Sequence, residues 1–203
     1  IAISYSGTVR GKKMEQLVMV LLFVAFLQNR IMDLRKAVAC LCLQSAIIAG
    51  ACLISGLANG NGLHSVLPGL LTILVKVCLI PYALFRLAGK LTDERELVAD
   101  INTNYSTALS AFFLMLSYVL VDKMLPGIGD RDIMASSMGL ILIGLVLIVM
   151  RSRAIMQIIG LMTMENGIYL LGLAMTEGLP TVIELGIFFD VLVAVLVLVI
   201  LTN

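Results

Sequence analysis

The run GLMTMENGIYLLGLAM, residues 160–175, sets a carboxylate, Glu165, into an apolar stretch of membrane-spanning length. By insertion scales a charge near the centre of such a helix costs about 2.5–3.5 kcal/mol. Two other runs carry the same anomaly: Lys76 within GLLTILVKVCLIPYALF and Asp190 within ELGIFFDVLVAVLVLVILT. Over three sites the penalty is roughly 7–10 kcal/mol, comparable to the stability of a whole domain. Charges kept at that cost read as functional. The cheapest use of a buried acid or amine is to move a proton.

The surrounding composition is that of an all-α, polytopic integral membrane protein. The chain is 61% hydrophobic and only 13% charged, with a mean hydropathy of +1.09, where soluble domains carry about 25% charged residues. A net charge of +1 points away from nucleic acid, and membrane lipid is the expected surround. Residues 1–13, IAISYSGTVRGKK, are too polar for a signal-peptide apolar region and read as an extramembrane segment. Cys40, Cys42, Cys52 and Cys78 form no Cys-x-x-Cys pair, so a zinc or iron–sulfur site is not expected and small apolar packing roles are. His64 reads as an interfacial residue at a segment end.

Apolar runs of spanning length predict about seven transmembrane helices, at 14–28, 37–58, 63–88, 106–121, 133–150, 154–175 and 181–202. Four fall within 14–122, and the last three form a separate module over 133–203. The connections are short and marked by Gly, Pro and charge, apart from residues 89–105. Loop lysines and arginines set the orientation. Arg30, Arg35, Lys36, Arg86, Lys90, Arg95, Arg151 and Arg153 share one side, against Arg10, Lys12, Lys13, Lys123 and Arg131 on the other. The larger group marks the cytoplasmic face of the cell's inner membrane, with the N-terminus outside and the C-terminus inside.

Lys76 then lies about 20 Å along its helix, Glu165 about 18 Å from the cytoplasmic face and Asp190 about 14–15 Å from the outer face. All three fall near the middle of a hydrocarbon layer about 30 Å thick. On the last helix Gly186, Asp190 and Ala194 share a face whose small residues admit a neighbouring helix. On the sixth, Glu165, Tyr169 and Gly172 line up beside Asn166, which suits either a proton relay or a plain carboxyl–phenol hydrogen bond. Glu184 sits near a helix start, where the dipole favours a carboxylate, and reads equally as an anchor and as an entry-side relay. Pro81 cannot donate to the carbonyl of Val77, so the third helix is expected to bend next to Lys76.

Those segments resemble a known family. The stretch GLMTMENGIYLLGLAMTEGLPTVIELGIFFDVLVAVLVLVIL is similar to the C-terminal part of hydrogenase-4 component E, and ILVKVCLIPYAL to the lysine-bearing third helix of that family. The N-terminal quarter matches only in hydrophobicity. Members are membrane subunits of formate hydrogenlyase-type nickel–iron hydrogenase complexes. The last three helices also resemble the small K-type subunit of complex I and the C-type subunit of multisubunit cation/proton antiporters. There Glu165 matches the glutamate of the middle helix, and Asp190 a second glutamate, here one methylene shorter.

The resemblance implies a non-redox subunit of a complex I-like, energy-converting hydrogenase, passing protons or cations through Lys76, Glu165, Asp190, Glu184 and Tyr169. It implies no catalytic site or cofactor in this chain, only a part in an oxidoreductase complex. The NiFe centre and iron–sulfur clusters would lie in partners: antiporter-like and membrane-anchor subunits and a peripheral hydrogenase arm. Two other readings stay open. One is a self-contained secondary cation/proton transporter, although no inverted repeat is visible between the halves. The other is a passive scaffold whose charges only pair with neighbours.

Overall fold

A computed structural model describes residues 2–58, 70, 73–91, 103–124, 131–175, 186, 188–193, 195 and 199. Among them, regular structure is helical throughout. Helix α1 (Ala2–Arg30) carries residues 2–13, read from sequence as extramembrane, as a direct extension of the first predicted span. No proline interrupts that stretch, and each added residue lengthens the helix by one hydrogen bond. The chain turns at 31–33, where the Ile31 amide donates to the Gln28 carbonyl at 3.2 Å. Asp33 then caps α2 (Leu34–Ala58), its Oδ1 accepting the Arg35 amide at 3.0 Å.

The third segment departs from regular geometry at the lysine. Residues Ile73–Leu79 form a π-helical stretch that gives way to α3 (Ile80–Leu91). Pro81 supplies the reason, since it has no amide hydrogen for the carbonyl of Val77. That carbonyl accepts the Cys42 thiol of α2 instead, at 3.6 Å. Widened helical turns of this kind are rare and concentrate at functional sites. Cys78, given an apolar packing role from the sequence, is exposed, and Cys40 and Cys42 are partly exposed.

Helices α4 (Thr103–Met124), α5 (Arg131–Met150) and α6 (Ala154–Met175) follow. On α4 the small residues Ser106, Ser110 and Ser117 are buried, while Tyr105, Phe112, Met115 and Val119 face outward. Small side chains are what let helices approach in lipid, where apolar burial gives no drive to associate. The α5–α6 seam goes further. A β-carbon on Gly144 would lie 2.5 Å from the backbone nitrogen of Met164 and 2.7 Å from the Gly160 carbonyl oxygen.

Helix α6 sits at the centre. On one side Ile155, Ile159 and Met162 pack with Val38 and Leu41 of α2, Leu84 and Leu87 of α3 and Val193. On another, Tyr169 and Leu170 pack with Leu21 and Ala25 of α1 and Leu140 and Ile143 of α5. A helix apolar on every side is what a central position requires. It also means that any charge on α6 lies inside the protein.

Among the described residues, four helices are long and apolar enough to cross a membrane: Leu34–Ala51, Thr103–Met124, Arg131–Met150 and Ala154–Gly172. The expected number was seven. Polar residues dilute the first half of α1, and much of the predicted third and seventh spans lies outside the described residues. His64 and Glu184 lie outside them too.

Candidate functional site

Lys76, Glu165 and Asp190 come from three separate helical segments and meet at one point. The lysine Nζ lies 3.1 Å from Glu165 Oε1 and 3.7 Å from Asp190 Oδ1. Lys76 and Asp190 are fully buried and Glu165 is 4% exposed. The ammonium also donates to Asn166 Oδ1 at 3.4 Å and stands 4.1 Å above the centre of the Tyr169 ring. That is cation–π distance, and such a contact strengthens where water is excluded.

Each contact follows from helix geometry. Glu165 and Tyr169 are four residues apart on α6, so they stack on one face, with Asn166 beside them. The π-helical stretch aims Lys76 at that face. Across from it, Gly186 meets the Tyr169 ring so closely that any β-carbon would overlap the phenol. The missing side chain is what lets the last helical segment bring Asp190 to the lysine. A crevice lined by Leu161, Met164, Ile168, Tyr169, Gly186 and Phe189 leads to Glu165 through otherwise apolar walls.

The charges do not cancel. One ammonium faces two carboxyl groups, and all four carboxylate oxygens lack a hydrogen-bond donor of normal geometry. A buried charge without full compensation is expensive, so one further positive charge completes the cluster.

Sequence reading missed a second buried polar system. Gln28, Asn29, Gln44 and Thr163 are fully buried, and Arg151 is 1% exposed although it was read as a loop charge. The Arg151 guanidinium is drawn inward to the Asn29 carbonyl near the end of α1, where helix carbonyls lack partners and a cation is favoured. The Asn29 side chain donates to Ser110 Oγ at 2.8 Å and accepts from Ser106 Oγ at 2.9 Å, tying α1 to α4. A run of amides and hydroxyls on separate segments gives no pattern in a single sequence. The one available signal was Gln44 in the middle of an apolar run.

Sequence comparison supplies a distant relation. The chain is 28% identical over 175 residues to an uncharacterized protein of Mycobacterium tuberculosis, covering 84% of this chain and 79% of that protein. It is 29% identical over 132 residues to hydrogenase-4 component E of Escherichia coli, covering 64% of this chain and 61% of that protein. The same figures hold for the Shigella flexneri protein. The match thus spans about three-fifths of the hydrogenase subunit. No family model and no solved structure matches.

Proposed function

We propose that this chain is a membrane subunit of a hydrogenase complex and carries protons through the Lys76–Glu165–Asp190 cluster. The observation behind the reading is one lysine held 3.1 and 3.7 Å from two buried carboxyl groups of the same chain. Lys76 hands a proton to Glu165 or Asp190 and takes one back, and the cluster passes between states that differ by one proton. The similarity to hydrogenase-4 component E supports placement in such a complex.

On this reading the chain makes seven spans with its C-terminus in the cytoplasm, and 133–203 is a K-type-like module. With Arg151 engaged inside the fold, seven of the basic residues assigned to one side still oppose five on the other. Electron transfer, with its NiFe centre and iron–sulfur clusters, belongs to partner subunits, and antiporter-like subunits continue the proton path in the membrane. The scaffold reading requires Lys76 to neutralise a neighbouring subunit. Its placement between two acids of its own chain favours the relay.

Glu165→Gln tests the reading, because the amide keeps the volume and polar contacts but carries no proton. Proton movement in sealed vesicles containing the complex should fall at least about tenfold, the equivalent of about 1.4 kcal/mol in a barrier. Glu184→Gln, at the predicted helix start, should cost less. Equal losses in intact complexes would reject the ranking. The isolated chain should conduct nothing, and conduction by it alone would favour the secondary transporter.

A further inference from the structure

Between the cluster and the α1–α2 turn lies a connected set of buried polar groups that the relay described above does not use. Gln28 Nε2 donates to the Ala37 carbonyl at 3.4 Å, and Gln44 Nε2 donates to Gln28 Oε1 at 2.5 Å. The Thr163 hydroxyl stands 3.3 Å from the same Gln28 oxygen and 2.9 Å from the Ile159 carbonyl. A hydroxyl has one hydrogen to donate. Thr163 therefore serves one of these acceptors at a time and can turn between them.

One helical turn further along α6 stands Asn166, on the same face as Thr163, with its Oδ1 3.4 Å from Lys76 Nζ. Gln44 Oε1, Ser45 Oγ and Asn166 Nδ2 are buried and have no hydrogen-bond partner. Unsatisfied polar atoms inside a membrane protein are costly, and bridging water is the usual remedy where several of them gather. Simple helix-to-helix adhesion would account for paired side chains. It does not account for the orphaned atoms.

We propose that Thr163, bonded to Gln28, is the hydroxyl step through which protons reach Lys76 from the α1–α2 turn. The inference rests on the relay reading of the cluster and adds its route of supply. A hydronium on the turn side gives its proton to a lone pair of Thr163 Oγ. Turned away from both the Gln28 and Ile159 carbonyls, the hydroxyl passes its own hydrogen to a water beside Asn166. That water hands a proton to Lys76 once the lysine has given one to Glu165, and rotation of the hydroxyl resets the step. The backbone turn at 31–33, with exposed Met32 and Asp33, is the mouth.

The test compares Thr163→Val and Thr163→Ser in the full complex, in sealed vesicles, with Glu165→Gln as reference. Proton movement per assembled complex should fall about tenfold in the valine variant, which keeps the branched shape, and stay within about twofold in the serine variant, which keeps the hydroxyl. Native proton movement in the valine variant would overturn the route. So would equal losses in both variants with reduced complex yield, since that outcome marks a packing role. If Glu165→Gln also pumps normally, the relay reading itself fails. If only the threonine variants pump normally, the cluster stands and the route falls.

Discussion

Lys76→Met should abolish most proton movement while leaving the complex assembled. Methionine fills the apolar length of the lysine but removes the charge between two acids, 3.1 and 3.7 Å away. Removing one partner of a buried pair costs about 3–5 kcal/mol when the other stays charged. Here both acids can discharge that cost by binding protons, so the fold survives and the relay between them does not. The scaffold reading predicts the reverse, in which the complex is lost because an unpaired acid faces a neighbouring subunit. Complex yield and proton movement, measured on the same membranes, separate the two.

Gly144→Leu should remove the protein from the membrane altogether. The α5 and α6 backbones meet at Gly144, where even a single added carbon lies 2.5 Å from Met164 N and 2.8 Å from Met164 Cα. Both helices present backbone there, so no side chain can swing aside. Overpacking in a well-packed core costs about 1–3 kcal/mol when neighbours adjust, and a rigid backbone on both sides raises that figure. Glu165 is the next residue along α6, so any separation of the seam also moves the cluster. The check is the level of chain and complex in membranes, where native levels would show the seam to be more yielding than its geometry implies.

What the sequence disclosed and what it hid divide along physical lines. Charge in an apolar run is a local signal with a large energetic penalty, so Lys76, Glu165 and Asp190 stood out individually. Tyr169 followed from the four-residue spacing, and the boundaries of α6 at 154 and 175 from its flanking charges and loop. Pro81 announced a disturbance, but its form, a π-helical stretch whose freed carbonyl binds Cys42, depends on a neighbouring helix. Asn166 was noticed only as a neighbour of Glu165, because its contact with Lys76 arises 90 residues away in the chain. Arg151 was misplaced for a related reason. An arginine in the Arg151-Ser152-Arg153 connection between apolar helices reads as a loop charge unless the buried carbonyl it meets on α1 is known.

The Lys76→Arg variant tests the central claim most directly. Arginine keeps the positive charge between Glu165 and Asp190 but holds its proton up to a pH above about 12. Proton movement into sealed vesicles, normalised to assembled complex, is the quantity to measure. The account predicts assembled complexes that move few protons. Full proton movement in the arginine variant would contradict it, since a fixed charge would then do all that Lys76 does.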